Sequence, residues 1–485
     1  MITRRSVLIG GGALAAVSAG AGLYQLYSTA SEIRAPILYA FGPHEFARRI
    51  QILSGQVPDN GLFESQRVRA QYPDWRGEPL INRELHNDDL SNTSSRAITT
   101  PNNDTLYTSA VLDLSSGPVE LFAPDSYDRY VSIAFMDPFN DLVAYIGSRA
   151  TQGRGGRFWI VGPGQSVETA HDMEVIRLEA NDVWMLGRVF VAGAQDLDHA
   201  RSIQSQIKVR PVRPDQATRS FETTSSVVSD TSDLLAVRPF LTKPSKRPDA
   251  RNFLALTNEI LGRNQSASHT ARAFAFEDFG ISPGNLDAFD DLPSLKKQVW
   301  MRAVKQVDGR IAEKVEAFEK TQTGWTAPPP ILGAFGKNDE VRAGTALTGF
   351  GALTAEEAIY FRTTTDDAGD PLYGTKAYQM VLPSEGVPTK AFWSISMYAI
   401  SSDRRFYFYE NELNRYAINS HSGDLTPQPD GSIVFAFQRN RPEDSSYVWM
   451  PTPDVRFKCV FRAYLPDQPI LDRIWVPPPI VRELT

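Results

Sequence analysis

ITTPNNDTLYTSAVLDL, residues 98–114, sets a proline and three consecutive amide and acid residues before an alternating apolar run. Asn and Asp after a proline favour a turn, because their side chains bond nearby backbone and tolerate left-handed conformations. The alternation that follows has the period of a half-buried strand. PNND therefore reads either as a turn that starts a strand or as the polar floor of a binding site.

Working outward, short alternating runs broken by Gly, Pro and Asp continue from LYTSAVLDL through PVELFAP, RYVSIAFMD, LVAYIGS, RFWIVGPG, MEVIRLE and VWMLGRVFV. Strands at this spacing predict an antiparallel sandwich or barrel over residues 97–212. The same period of two returns over 349–485 in AYQMVLP, AFWSISMYA, FYFYENE, YAINS, SIVFAFQ, YVWMP, VRFKCVFRAYLP and RIWVPPP. That set suits a second sandwich of jelly-roll type. Ser132 and Ile133 of the first region echo Ser394 and Ile395 of the second, and two such matches are read as shared strand chemistry without duplication.

Between and before the β regions the period changes. PILYAFGPHEFARRIQIL makes residues 31–96 a helical preface, and residues 213–348 read as a helical insertion ending in the proline-stiffened linker WTAPPPILG. In that insertion Leu295, Val299, Trp300, Ala303, Val304, Val307, Ile311, Val315 and Phe318 recur at three- and four-residue steps, the pattern of a core-facing helix.

Residues 1–30 differ in kind. A basic start, a small-residue apolar stretch, and Ser28 and Ala30 placed like a cleavage box read as an export signal. Arg4 and Arg5 after Thr3 fit the twin-arginine pattern, which a receptor reads and which does not anchor the chain. An ordinary secretory peptide or an uncleaved anchor is the other reading, and all place the body of the protein in the periplasm or outside the cell. No other segment approaches the roughly 20 apolar residues that cross a bilayer.

The 485 residues are 42% hydrophobic and 22% charged, which is globular material sufficient for more than one core. A net charge of -7 without basic stripes excludes a nucleic-acid footprint. Cys459 is the single cysteine and lies in an alternating run, so it reads as a buried strand residue without a disulfide.

The chain resembles the paired bacterial families called domains of unknown function 1254 and 1214. The first resemblance rests on ITTPNNDTLYTSAVLDLSSGPVELFAPDSYDRYVSIAFMDPFNDLVAYIG. The second rests on DAGDPLYGTKAYQMVLPSEGVPTKAFWSISMY with NELNRYAINS, PDGSIVFAFQ and WVPPP. It implies an immunoglobulin-like sandwich first, a jelly-roll-like sandwich last and a helical insertion between them, and leaves activity open. The chain departs from the family at YVWMPTP, where an asparagine usually precedes the tryptophan.

Two constellations could carry chemistry. In PNNDT, Asn102 and Asn103 offer amides and Asp104 a carboxylate, suited to a hydroxyl- or carboxyl-bearing ligand. Alternation puts Thr105 and Tyr107 on one face with Asn103. In AFWSISMY, Phe392, Ser394, Ser396 and Tyr398 share a face opposite Trp393, Ile395 and Met397. The apolar set predicts core; the hydroxyl-bearing set predicts either a solvated face or a ligand wall.

Histidines are His44, His86, His171, His199, His269 and His421, with no second ligand at metal spacing. His421, in SHSGD, is the candidate among them. DDAGD, with Asp366, Asp367 and Asp370, lacks the alternation and terminal glutamate of an EF-hand. No P-loop, nucleophile elbow or dinucleotide fingerprint is present, so no organic cofactor is indicated, while a divalent metal held by distant residues stays compatible.

The expectation is therefore an exported enzyme, a hydrolase or lyase acting on a small hydroxyl- or carboxyl-bearing or sugar-like substrate. Asp104 would be its general acid or base and Tyr107 its proton donor, with Asn102, Asn103, Thr105, Ser394, Ser396, Tyr398 and His421 holding the substrate. The alternative is a non-catalytic periplasmic ligand-binding or envelope-associated protein. A homo-oligomer is compatible with either.

Overall fold

The structure, a computed structural model, describes residues 31–483 apart from 58–62, 169–172, 225–248, 317–319 and 403–404. The export-signal reading, Phe318 and His171 lie outside the described residues. The fold is mainly β, built from several antiparallel sheets together with a set of helices.

The first sandwich has one sheet in the order β1 (Leu85–Asn87), β2 (Thr105–Asp113), β8 (Asp182–Phe190), β4 (Val131–Met136) and β5 (Leu142–Gly147). The facing sheet runs β7 (Met173–Arg177), β6 (Gly156–Val161), β3 (Val119–Ala123) and β9 (Lys208–Pro211). Alternate residues of both sheets, including Leu106, Leu121, Ile133, Phe158, Val183 and Val209, fill the space between them. Burial of one face per strand is what a period of two requires.

The second sandwich repeats that plan. Its first sheet runs β10 (Ala358–Thr363), β17 (Phe457–Pro466), β12 (Thr389–Ile400) and β13 (Phe406–Tyr407), with β14 (Ala417–Asn419) also on β12. Its facing sheet runs β16 (Val448–Pro451), β15 (Ile433–Gln438), β11 (Tyr378–Leu382) and β18 (Val481–Arg482). Both facing sheets contain a parallel pair, β6 with β7 and β15 with β16, at the same place in the order. Strand for strand, β2, β3, β4, β6, β7, β8 and β9 correspond to β10, β11, β12, β15, β16, β17 and β18.

Trp393, Ile395 and Met397 lie in the second core with Cys459, and burial pushes the Cys459 thiol pKa up. Three details differ from the pattern expected of the sequence: within the helical preface, Leu85–Asn87 pairs with β2 as the edge strand β1 of the first sandwich, and the other two fall in the second β region. AIYFRT forms β10, although its acidic upstream residues hide its start, and RIWVPPP is not a strand, because its prolines lack the donors that a ladder needs.

The helices form a third layer. Arg34–Leu53 (α1), Ala250–Arg263 (α2), Ser294–Glu316 (α3) and Asp339–Thr348 (α4) share a core that includes Tyr39, Phe41, Phe253, Trp300, Val304 and Ala346. No helix among the described residues is long and apolar enough to cross a membrane.

Candidate functional site

The two sandwiches meet through the outer faces of their first sheets, and most of the polar residues singled out in the sequence lie in that seam. The site begins with the PNND turn. Thr100 has φ +51°, and the Asn102 side chain accepts from the Asp104 N–H at 2.9 Å, closing an Asx turn. The Val191 N–H then donates to the Asp104 carbonyl at 2.8 Å, beside the first rung of the β2–β8 ladder. The turn reading of PNND is correct locally, and the second sandwich grips the same turn. Tyr398 donates to the Pro101 carbonyl at 2.6 Å, and Asn102 Nδ2 donates to the Tyr464 hydroxyl at 2.8 Å and to Thr105 Oγ1 at 3.1 Å.

Asp104 is 1% exposed. Asn419 Nδ2 donates to its Oδ1 at 3.2 Å, whereas Oδ2 has no aligned protein donor. Burial raises the pKa of its carboxyl above the ordinary carboxylate value, and Arg462, Ser394 and Asn419 pull it back down. The Ser394 hydroxyl faces the carboxyl but makes no well-aligned hydrogen bond of its own.

The hydroxyl-bearing face of β12 is therefore neither solvated nor an open wall. Ser394, Ser396 and Tyr398 are all fully buried against the first sandwich. Arg462, on the neighbouring strand, donates to Ser396 Oγ at 2.7 Å, to Tyr398 at 2.8 Å and to the Thr100 carbonyl at 3.4 Å. Tyr107 is half-buried beneath Arg188, whose guanidinium carbon lies 5.7 Å from its ring centroid. Asn103 does not join the group: its amide donates to the Ser91 carbonyl at 2.5 Å. His421 is exposed at the rim, with its ring 5.0 Å from Phe190.

Two arginines outside the residues singled out in the sequence organise the seam. Arg188 sits directly across from Tyr107 of β2 and Ser132 of β4, and Arg462 sits across from Tyr360 of β10 and Ser394 of β12. Each sheet thus carries a Tyr–Arg–Ser row across three strands. A charged residue inside the apolar runs VWMLGRVFV and VRFKCVFRAYLP was the available signal, since a charge held inside a buried strand needs partners or a role.

Aromatic residues exchange across the seam with the same symmetry. Phe190 packs on Phe392 at 4.0 Å, and the corresponding pair, Tyr464 and Tyr130, packs at 5.2 Å. The serine echo is therefore a register equivalence.

Arg188 is 5% exposed and makes one hydrogen bond, from Nη2 to the Gly351 carbonyl at 3.0 Å. Its Nε and Nη1 have no protein acceptor, nor does the Ser132 hydroxyl have an aligned partner. The phenols of Tyr107, Tyr360, Tyr130 and Tyr464 lie close enough to act on its charge. Tyr107 and Tyr360 are half-buried. Among the described residues, no three His, Cys, Asp or Glu side chains are grouped to hold a metal ion.

Fold and seam together define a tandem β-sandwich protein with a buried polar junction. Residues 81–211 match the family described as protein of unknown function DUF1254, and residues 357–468 match that described as protein of unknown function DUF1214. The chain carries both domains in a two-domain arrangement. It is similar in fold to the VPA0106 protein of Vibrio parahaemolyticus, at 20% identity and TM-score 0.67, over 94% of this chain and 100% of that one. An uncharacterized protein from Burkholderia cenocepacia is 14% identical with TM-score 0.41, over 93% and 98% of the two chains. No curated protein matches this chain.

Proposed function

We propose that this is an exported protein that binds a small carboxylate-bearing organic ligand in the seam between its sandwiches, with Arg188 as the anchor. The observation that carries the reading is the buried Arg188 guanidinium with donors on two nitrogens unmet by protein. A buried guanidinium left without an acceptor is costly, and a ligand carboxylate supplies both the charge and the oxygens it lacks. The half-buried Tyr107 and Tyr360 add apolar faces with polar tips, a lining suited to small organic molecules.

The test is calorimetric titration with acetate, glycolate and benzoate, accompanied by thermal denaturation. A hundredfold excess of ligand over Kd adds about 2.7 kcal/mol of stability. Binding is expected in the wild type and absent in Arg188→Gln; equal binding by both would remove Arg188 from the site.

Catalysis by a hydrolase or lyase is the second reading, favoured by the unpaired Asp104 Oδ2 on a carboxyl of raised pKa beside Ser394. Asp104 would act as general acid or base and Tyr107 as proton donor. Asp104→Asn should then lose turnover while the melting temperature stays within a few degrees. Loss of folding instead would assign Asp104 to the domain junction alone.

A further inference from the structure

The repeated plan allows one half of the seam to be compared with the other. Asp104 stands three residues before Tyr107, and Glu357 stands three residues before Tyr360. The Asp104 carbonyl accepts from the N–H of Val191, three residues past Arg188. The Glu357 carbonyl accepts from the N–H of Leu465, three residues past Arg462. The two acids are thus equivalent, both are almost fully buried, and each reaches across the seam into the other sandwich.

Their partners differ. Glu357 is saturated: Tyr130 donates to Oε1 at 2.9 Å and Arg149 Nε donates to Oε2 at 2.6 Å. At the other corner the position of Tyr130 is held by Phe392, which has no hydroxyl. The position of Arg149, two residues past the partner of the seam serine, is held by the exposed His421. Asp104 Oδ2 and Ser394 Oγ are left without aligned partners in a fully buried environment. A carboxylate oxygen in that setting calls for a donor.

We propose that the Asp104 corner, with Ser394 and Asn419, is a subsite for a hydrogen-bond donor, a hydroxyl or ammonium, on the small carboxylate held by Arg188. The inference rests on that Arg188 reading, and it narrows the ligand class to hydroxy acids or amino acids. Arg188 pairs with Tyr107, so the two poles are three residues apart along β2, about 10 Å of strand. The Tyr464 hydroxyl, bonded to Asn102 and to the Tyr360 hydroxyl at 3.0 Å, lies between the poles.

Three probes and two variants test this. In the wild type, glycolate or glycine should bind about tenfold more tightly than acetate, as one charge-assisted hydrogen bond implies. The member of the pair that gains tells a hydroxyl subsite from an ammonium subsite. In Asp104→Asn, which keeps an oxygen for Asn419, the preference over acetate should disappear while acetate binding persists. Phe392→Tyr restores the missing phenol, and should raise the melting temperature by about 2 °C and abolish the same preference. A preference that survives in both variants, or is absent from the wild type while acetate still binds, overturns the subsite and leaves the Arg188 reading standing. If none of the three probes binds, both readings fall.

Discussion

Arg188 and Arg462 occupy the same register position in two sheets that pack face to face, yet Arg462 makes three hydrogen bonds and Arg188 makes one. The first is a structural clamp, and the second holds donors in reserve. Arg462→Met should therefore destabilise the protein by about 3 kcal/mol, because each bond to a charged group contributes more than a neutral one. Arg188→Met removes a buried charge with a single partner and should cost about 1 kcal/mol or less. Urea denaturation of the two variants checks the contrast, and equal losses would erase the distinction between clamp and reserve.

Asn102 and Asn103 are neighbours with different duties. Asn102 closes the turn through its oxygen and holds Tyr464 and Thr105 through its nitrogen, all of it buried. Asn103 makes one bond to the Ser91 carbonyl from a half-buried position. Asn102→Ala is expected to cost about 2 kcal/mol by leaving buried polar groups unmet, and Asn103→Ala about 0.5 kcal/mol. Chemical denaturation midpoints measure both, and a larger loss at Asn103 would contradict the seam described above.

Asp137 should make stability fall with rising pH. It lies in the turn between β4 and β5, where its Oδ1 accepts from the N–H groups of Phe139 at 2.8 Å and Asp141 at 3.0 Å. Burial first, then the nearby Asp141 carboxylate, pushes the Asp137 carboxyl pKa up to about 7 from its ordinary 3.8. Between those values the folded chain holds a proton that the unfolded chain has released. The contribution is thus intact below the unfolded value and is lost progressively up to the folded one, by at most about 1.4 kcal/mol per pH unit. Asp137→Asn keeps the oxygen acceptor and should flatten the slope of unfolding free energy between about pH 5 and about pH 7. An unchanged slope would show that Asp137 does not carry it.

Much of this architecture is legible residue by residue. The alternation of Trp393, Ile395 and Met397 against Ser394, Ser396 and Tyr398 separates core from outer face, because strand geometry alone enforces it. The destination of the outer face is not legible. It depends on contacts such as Asn102 to Tyr464 and Tyr398 to Pro101, which join residues about three hundred or more positions apart. Local pattern carries no information at that range. Arg188 escaped notice because one cation in VWMLGRVFV hardly alters the period of a strand, although its burial governs the energetics of the seam. β10 was hidden for a related reason: AIYFRT follows an acidic stretch and runs into threonines, and only pairing with β17 defines it.

The saturated corner offers the reverse of the Phe392→Tyr experiment. Tyr130→Phe deletes the donor to Glu357 Oε1 while Arg149 keeps Oε2, so it leaves a buried carboxylate oxygen unmet as at Asp104. The loss should be about 1–3 kcal/mol, the cost of leaving one buried polar atom unsatisfied. Ring packing against Phe392 and Tyr464 is retained, so the cost reports the hydroxyl and not a cavity. A second outcome follows from the equivalence of the corners. The variant should acquire a donor-binding position at Glu357, read as a gain in thermal stabilisation by ethanolamine that Glu357→Gln in the same background removes. Stability loss without that gain would mean that Arg149 alone is enough to close the corner, and that His421, which stands in its place opposite Asp104, is what keeps the other corner open.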